Sequence, residues 1–215
     1  MSHNPRTKSV AVYASLVLTF GLWFVMFVVK PFNFFLMMSL STVLLSLIAF
    51  GAGWPVFKKE ELTGRNILLG AATAIVLYAV FLIGNRMLTF ISDGLGLIPG
   101  RAENLLSIYA RQGSMSPALV GTLLFFPIGF GEEVYWRGLV QRYFMSRWGG
   151  LNGFWITALI YTLVHVPTLN PVLILAAFTC GLFWGGVFAL TGSLVPVLIS
   201  HMIWDPLIFT ILPIR

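Results

Sequence analysis

Apolar stretches separated by short polar turns constrain the fold of this chain more than any other feature. Most of them are long enough to cross the roughly 30 Å hydrocarbon core of a bilayer as a helix that rises about 1.5 Å per residue. They cover residues 10–29, 34 to about 50, about 67–90, about 117–141, 153–166, 172–190 and 194–212, and the fifth is short for a span. Because a chain in lipid must satisfy its backbone hydrogen bonds internally, such stretches form helices. The sequence therefore predicts an all-α, polytopic transmembrane helix bundle of about seven or eight spans.

Composition supports this fold class and excludes a soluble protein. Of the 215 residues, 58% are hydrophobic and only 9% are charged, which is more apolar than a soluble domain. The net charge of +6 comes from basic residues scattered among short loops, so the expected partner is the anionic membrane lipid and not a nucleic acid. The one cysteine, Cys180, cannot form an intrachain disulfide. We expect residues 1–215 to form a single integral membrane domain, with the functional core at about 117–212.

The distribution of lysine and arginine predicts the orientation in the membrane. With the amino terminus inside, the cytoplasmic loops carry seven basic residues and the outer loops carry five, in agreement with the positive-inside tendency. The cytoplasmic set is Arg6, Lys8, Lys58, Lys59, Arg65, Arg142 and Arg147, and the outer set is Lys30, Arg86, Arg101, Arg111 and Arg215. The first stretch has no small-residue cleavage site after it and is interpreted as an anchor. We expect a multi-pass protein of a bacterial-type inner (plasma) membrane with a cytoplasmic amino terminus.

Two segments between the third and fourth stretches are predicted to lie outside the bilayer core. Residues 93–100 are rich in glycine, but no strand precedes them and no Lys-Ser/Thr pair follows, so we interpret them as a surface connection and not a phosphate-binding loop. In residues 101–112, Asn104, Ser107 and Arg111 share one face and apolar residues share another. This pattern indicates an interfacial helix lying on the headgroups, with guidance of a substrate as an alternative role.

An acidic motif inside the fourth apolar stretch is the strongest functional feature. Residues 129–138, Gly-Phe-Gly-Glu-Glu-Val-Tyr-Trp-Arg-Gly, place Glu132, Glu133 and Arg137 in lipid, where an ionisable group costs roughly 2.5–3.5 kcal/mol on insertion scales. Pro127 weakens the helix just before the motif. Glu133 and Arg137 are four residues apart and share a helix face, whereas Glu132 points about 100° away. We predict a structural Glu133–Arg137 ion pair and a free, catalytic Glu132.

Two further polar pairs lie in later apolar stretches. Tyr161 and His165 are four residues apart, as are His201 and Asp205, so each pair shares one helix face. If the helices meet, these groups and Glu132 form a low-dielectric site suited to water activation and oxyanion stabilisation. Tyr161 itself is interpreted as a packing residue that supports the site. Straight spans would leave His165 near the outer end of a short helix, at a different depth, so either that helix continues or its boundaries differ.

The three motifs in this order resemble those of the type II CAAX prenyl endopeptidase family, also called the CPBP or Abi family of glutamate-dependent intramembrane proteases. The motifs are Glu132-Glu133-x-x-x-Arg137, Tyr161-x-x-x-His165 and His201-x-x-x-Asp205. The similarity covers about residues 121–205 and implies a membrane bundle of about eight helices. It also implies that Glu132 and His165 activate the attacking water, and that His201 and Asp205 stabilise the tetrahedral oxyanion.

Two positions depart from the pattern of that family. Tyr161 stands where the family usually has Phe, which adds a hydroxyl. Asp205 stands where some members have Asn, and an ionised carboxylate cannot donate a hydrogen bond to an oxyanion as an amide can. Asp205 must then be protonated, or orient His201, or serve another role.

Other kinds of site remain open from the sequence. Glu132, His165, His201 and Asp205 could supply three or four ligands to zinc, but no two of them have metalloprotease spacing, so we prefer a site that requires no metal. The His-Glu-x-x-His motif and any Gly-x-Ser triplet are absent. The same buried acids and histidines could instead form the path of a small proton- or ion-coupled transporter. A non-proteolytic, bacteriocin-immunity-type membrane protein with the same fold is a third alternative.

The function predicted from the sequence is an intramembrane endopeptidase that acts on a membrane-tethered peptide or protein. A CAAX-type tail, a carboxyl-terminal sorting signal or a bacteriocin-type leader would suit such a site equally. The sequence therefore predicts the reaction and leaves the substrate open.

Overall fold

The computed structural model describes residues 5–52, 56–96 and 100–214, with side chains from residue 8 onward. Arg215, the side chain of Arg6 and residues 97–99, for which the sequence predicts loop positions, lie outside this part. The described residues form helices joined by short turns and contain no strand. The α-helices are α1 (Pro5–Phe24), α2 (Phe34–Gly51), α3 (Gly64–Thr89), α4 (Arg101–Tyr109), α5 (Pro117–Leu123), α6 (Phe130–Tyr135), α7 (Arg142–Trp148), α8 (Gly150–Leu163), α9 (Pro171–Thr191) and α10 (Leu194–Pro206). The predicted all-α fold is confirmed.

Six helical segments in the described part of the chain are long and apolar enough to cross a membrane. They are Lys8–Val29, Phe34–Gly51, Gly64–Gly94, Pro117–Trp148, Pro171–Thr191 and Leu194–Ile211. These segments correspond to six of the predicted spans, and the chain is an integral, multi-pass membrane protein. The remaining predicted span, 153–166, lies on α8, whose 14 residues give a length of only about 21 Å. This helix is too short to cross the bilayer core.

The long segment that carries the acidic motif is divided into α5, α6 and α7. Between α5 and α6, Phe126 has extended dihedral angles (φ −153°, ψ 127°) and precedes Pro127, which has no backbone N–H to continue the helix. Between α6 and α7, residues Trp136–Gln141 form a π-helical turn, an irregularity that re-aims the side chains it carries. The motif therefore lies between two breaks in regular helix geometry, the first of which Pro127 predicts.

Two glycines let the motif approach neighbouring helices closely. A Cβ atom at Gly131 would lie 2.8 Å from the Cβ of Thr42 on α2, and one at Gly129 would lie 3.2 Å from the Cα of Met202 on α10. Both distances are shorter than ordinary contact between carbon atoms. Because glycine has no Cβ, α6 can pack between α2 and α10 and bring its acids against α10.

The turn between α7 and α8 explains how His165 reaches the depth of Glu132. Gly149 adopts a φ of 87°, and a Cβ at Gly153 would collide with the backbone of Met145, so the two helices form a tight antiparallel pair. At a rise of about 1.5 Å per residue along these helices, Glu132 lies about 25 Å before Gly149. His165 lies about 24 Å after it. The two residues are thus about equally far from the turn, because α7 continues to Trp148, beyond the predicted end of the fourth stretch, and α8 begins directly after it at Gly150.

The glycines of α9 permit close packing, as their small-xxx-small spacing predicts. The carbonyl of Gly185 accepts a hydrogen bond of 2.8 Å from Nε2 of Gln141. A Cβ at Gly181 would lie 3.3 Å from Cδ1 of Tyr161. As a result, α9 contacts both α8 and the π-helical turn that follows the motif.

The helix predicted for residues 101–112 is present as α4 and a short 3-10 turn, Ala110–Gln112. Its apolar face buries Ile108. On its polar face, the side chain of Asn170 donates to the carbonyl of Asn104 at 2.8 Å and to the hydroxyl of Ser107 at 3.0 Å. The polar face is therefore docked against the start of α9.

Candidate active site

All seven polar residues of the three sequence motifs are buried in the same part of the bundle. Their exposed fractions are 6% or less for Glu132, Glu133, Arg137, Tyr161, His165, His201 and Asp205. They come from α6 and the π-helical turn after it, from the last turn of α8 and the residues just after it, and from α10. The structure thus brings together every residue that the sequence placed in one site.

Glu133 lies at the centre of a chain of charged groups. Its Oε1 accepts hydrogen bonds from Nη1 of Arg137 at 2.8 Å and from Nδ1 of His201 at 2.7 Å. On the other side of the imidazole, Nε2 of His201 lies 3.3 Å from Oδ2 of Asp205. The expected ion pair between Glu133 and Arg137 is present, with His201 as a further partner from another helix. Because the members are buried, their attraction is only weakly screened.

The imidazole of His201 is fixed in position from several sides. It stacks on the indole of Trp184, with ring centroids 3.7 Å apart and an interplanar angle of 18°. The indole is itself held by a hydrogen bond from its Nε1 to the hydroxyl of Ser200 at 3.1 Å. Since a carboxylate oxygen can only accept, both ring nitrogens of His201 donate when Glu133 and Asp205 are ionised. The ring then carries a positive charge.

Glu132 has far fewer partners than Glu133. The hydroxyl of Tyr161 donates to its Oε2 at 3.0 Å. Within the described residues, no Lys, Arg or His lies within ion-pair distance of Glu132. Tyr161 was expected to pack, and its ring does pack edge-on against Trp136, but its hydroxyl also contacts the site. That hydroxyl is the group by which this chain departs from the Phe of the family pattern.

His165 presents one free ring nitrogen to the site. Its Nδ1 lies 2.8 Å from the carbonyl oxygen of Tyr161. A carbonyl oxygen only accepts, so Nδ1 carries the proton, and Nε2 of the neutral ring is an acceptor. The ring packs edge-on against Trp23 and Phe27, with centroids 6.5 Å and 5.4 Å away. His165 can therefore accept a hydrogen bond or a proton through Nε2.

Glu132 and His165 line a cavity of about 120 Å³. The other ionisable residues in its wall are Arg111, Tyr161, Cys180, His201 and Asp205, and most of the remaining wall is apolar. Since one water needs roughly 10–15 Å³ of such space, the cavity has room for several waters or for a peptide group with one water. Glu133 and Arg137 lie behind the wall and support His201.

The described residues contain no group of three or more His, Cys, Asp and Glu side chains placed to bind one metal ion. Glu132, His165, His201 and Asp205, the zinc ligands considered from the sequence, do share the cavity. Both ring nitrogens of His201, however, face carboxylate oxygens, which leaves neither of them free as a ligand. The absence of a metal requirement stays a prediction.

Two features of the cavity were not recognised as site residues from the sequence. Trp184 was expected to face lipid or to pack, and it forms the stacking surface for His201. Arg111 belongs to the predicted interfacial helix, and its side chain lines the cavity. The sequence places Arg111 on the polar face of residues 101–112, but it does not show whether that face points into the bundle or towards the headgroups.

Comparison with known proteins agrees with this geometry. Residues 114–207 match the family model described as type II CAAX prenyl endopeptidase Rce1-like. This segment is similar to the domain that the family model describes. It begins just before α5 and contains all seven motif residues. No curated protein and no solved structure matches the chain. The chain is thus a multi-pass membrane protein with a segment similar to a protease family, the family whose motifs its sequence resembles.

Proposed function

We propose that this protein is an intramembrane endopeptidase in which Glu132 and His165 activate a water molecule for attack on a peptide bond. The observation that carries the proposal is the cavity wall where the Glu132 carboxylate and the Nε2 of His165 both have free hydrogen-bonding positions. The neighbouring acid, Glu133, is not part of that wall; its Oε1 is paired with Arg137 and His201, and its buried Oε2 has no hydrogen-bond partner. The match to the Rce1-like family model supports the same reaction class.

Glu132 is the general base in this proposal. Because Tyr161 occupies Oε2, Oε1 is left to accept a proton from water while the water oxygen attacks the carbonyl carbon. The protonated Glu132 then donates that proton to the leaving nitrogen. His165 accepts the second hydrogen of the water through Nε2 and so fixes the direction of attack. The low dielectric of the surrounding apolar wall strengthens each of these contacts.

His201 stabilises the tetrahedral oxyanion in this proposal, and Asp205 supports it. The contact of 3.3 Å between Nε2 of His201 and Oδ2 of Asp205 is longer than a strong charge-assisted hydrogen bond. A developing oxyanion can therefore compete for that N–H. An ionised Asp205 cannot donate to the oxyanion, so orientation of His201 is the role that suits it best among those the sequence left open.

The proposed substrate is a peptide or protein tethered to the membrane, because the site is reached within the bundle and its wall is mostly apolar. CAAX-type tails and carboxyl-terminal sorting signals both meet that description. We place the protein in a bacterial-type inner membrane with its amino terminus in the cytoplasm, from the balance of basic residues between the loops. Residues 1–215 form a single domain in this proposal.

The function is tested by cleavage of a pool of lipid-tethered peptides in proteoliposomes, with the products identified by mass spectrometry. Glu132→Gln and His165→Ala should each lower cleavage by about 10²-fold or more, since each removes a group that acts on the attacking water. Glu60→Gln makes the same chemical change at an exposed position and should cleave like the wild type. Cleavage by folded Glu132→Gln at the wild-type rate would dismiss the proposal, and Glu132-dependent ion flux without cleavage would favour a transporter.

A further inference from the structure

A second cavity adjoins the candidate active site at the end of the bundle where α1 turns into α2. Its volume is about 450 Å³, and its polar lining includes Lys30, Asn33, Asn104, Ser107, Arg111 and Asn170. We call this cavity the polar vestibule. Phe27, Phe34 and Arg111 line both the vestibule and the cavity of Glu132 and His165. Arg111 therefore lies at the boundary between the two.

The vestibule is positively charged and lacks a counter-charge. Lys30 and Arg111 are part of its lining, and no Asp or Glu is. Among the described residues, no carboxylate forms an ion pair with either of these cations. The amide side chains of Asn33, Asn104 and Asn170 add further polar groups, although each of them also takes part in hydrogen bonds within the protein. The lining as a whole favours an anion over a cation.

Arg111 is held in place by aromatic rings and has no anionic partner. Its Cζ lies 4.7 Å from the ring centroid of Phe27 and 5.1 Å from that of Phe34, distances at which a cation is attracted to a π-system. Its Nε is buried without a hydrogen-bond partner. Burial lowers the pKa of the Arg111 guanidinium, yet arginine stays charged in proteins. A charged group in this position gains most from a bound anion that accepts its free N–H groups.

We propose that Arg111 binds a carboxylate of the peptide substrate and thereby selects peptides with an anionic group close to the scissile bond. This inference rests on the proposed endopeptidase function. The Phe27 ring lies 5.4 Å from the His165 ring and 4.7 Å from the Arg111 Cζ, so the guanidinium is no more than about 10 Å from the imidazole. An extended peptide advances about 3.3 Å per residue. The carboxylate bound by Arg111 thus belongs to a residue within about three positions of the cleaved bond.

The position of Arg111 favours a peptide carboxylate over the phosphate of a lipid headgroup. Arg111 is half-buried and touches the inner cavity, whereas Lys30 is exposed at the outer part of the vestibule. A headgroup phosphate would meet Lys30 first. A peptide that occupies the cavity of Glu132 and His165 lies within reach of the guanidinium, because Arg111 lines the same cavity.

The experiment compares matched peptides that differ only in charge. The best-cleaved peptide from the pool, with its scissile bond mapped, is remade with a terminal acid or a terminal amide, and with Asp or Asn within three residues of the bond. Wild-type protein should prefer the acidic member of at least one pair by about ten- to hundredfold in kcat/KM, as expected for a charge-assisted hydrogen bond. A preference in the acid–amide pair would identify the recognised group as the terminal carboxylate. A preference in the Asp–Asn pair would identify it as a side-chain carboxylate.

Arg111→Gln should remove this preference, and Arg111→Lys should keep part of it. Arg65→Gln, which removes an exposed arginine on α3, should leave the preference unchanged. A purely structural role for Arg111 would lower cleavage of both members of a pair equally, so the acid-to-neutral ratio separates recognition from folding. The wild-type comparison stands even if the Arg111→Gln protein does not fold.

Three results would overturn the inference and leave the proposed function intact. Equal cleavage of both members of each pair by the wild type would show that no carboxylate is recognised, with the endopeptidase function intact. A preference that persists in Arg111→Gln would assign recognition elsewhere. A rate that depends on Arg111 and on the fraction of phosphatidylglycerol in the vesicles, with no acid-to-neutral preference, would assign the cation to lipid phosphate. If the wild type cleaves no peptide at all, the proposed function itself fails and this inference falls with it.

Discussion

Glu132 and Glu133 are adjacent in the sequence and similarly buried, yet the bundle gives them opposite surroundings. Glu133 accepts hydrogen bonds from Arg137 and His201 at 2.8 Å and 2.7 Å. Glu132 accepts one bond, from the hydroxyl of Tyr161 at 3.0 Å, and lines the cavity. The step of about 100° between consecutive residues of a helix is enough to produce this difference. One turn of helix can therefore carry both a neutralised acid and an available one.

The two histidines repeat the same contrast. Both ring nitrogens of His201 face carboxylates, whereas His165 uses only Nδ1, on a backbone carbonyl. The site thus has a closed part, Arg137–Glu133–His201–Asp205, and an open part, Glu132 and His165. The closed part should contribute to stability and, through His201, to stabilisation of the oxyanion. The open part should contribute mainly to the chemistry.

The same substitution at the two glutamates tests this division most strongly. Glu133→Gln leaves the buried Arg137 without its carboxylate partner, and breaking such a pair typically costs about 3–5 kcal/mol. Glu132→Gln keeps an acceptor for Tyr161 and removes an unpaired buried charge, so we expect the free energy of unfolding to stay at or above that of the wild type. Titration with a denaturing detergent measures the free energy of unfolding of both variants.

The double variant Glu133→Gln/Arg137→Met is the control for that prediction. It removes both charges of the helix pair and should be more stable than Glu133→Gln alone, because the uncompensated guanidinium is gone. Equal destabilisation by Glu132→Gln and Glu133→Gln would contradict the division into a closed and an open part.

Substitutions of the two histidines should also differ in their effect on stability, by less than the substitutions of the two glutamates. His165→Gln should lower kcat by about 10²–10⁴-fold while its unfolding temperature stays near that of the wild type, because only one backbone contact is lost. His201→Gln should lower the unfolding temperature as well, because Glu133 and Asp205 then face a neutral group. Peptide cleavage and thermal unfolding in detergent give the two readouts. The reverse pattern, a stable His201→Gln and an unfolded His165→Gln, would count against the comparison.

Contacts within one helix were predictable from the sequence. The spacing of four residues placed Glu133 beside Arg137 and His201 beside Asp205, because the rise and turn of an α-helix fix those distances. Most helix positions followed from the length of the apolar stretches, because a bilayer admits few alternatives to a spanning helix. The close packing of α9 followed from its small residues.

Contacts between helices were not predictable in the same way. The bond between His201 and Glu133 joins positions 68 residues apart, and no local rule gives the rotation of one helix relative to another. The depth of His165 depends on the turn at Gly149 and on where α8 begins, and apolar stretches define helix ends only within a few residues. The inward turn of Arg111 depends on packing against Phe27, from the π-helical turn that follows α1, which no pattern within residues 101–112 could reveal.

Tyr161→Phe should have the smallest effect of these substitutions. It tests how much the reactivity of Glu132 depends on its hydrogen bond from Tyr161. The substitution removes the hydroxyl that donates to Oε2 of Glu132 and keeps the ring that packs against Trp136. Losing one such hydrogen bond costs about 0.5–1.5 kcal/mol, so kcat/KM for the lipid-tethered peptide should fall by about two- to tenfold. Tyr143→Phe, whose hydroxyl bonds to Ser9 at 2.9 Å away from the cavity, is the matched control.

A loss in Tyr161→Phe as large as in Glu132→Gln would mean that the phenol acts directly on the substrate or the water. Glu132 and Tyr161 would then act together as a hydrogen-bonded acid–phenol pair. The two glutamates would differ in the kind of partner each one has, and not in whether the carboxylate is free to react. A loss within tenfold leaves the carboxylate as the group that moves the proton. In that case the hydroxyl only orients Glu132, which explains how the usual Phe of the family pattern can serve the same chemistry.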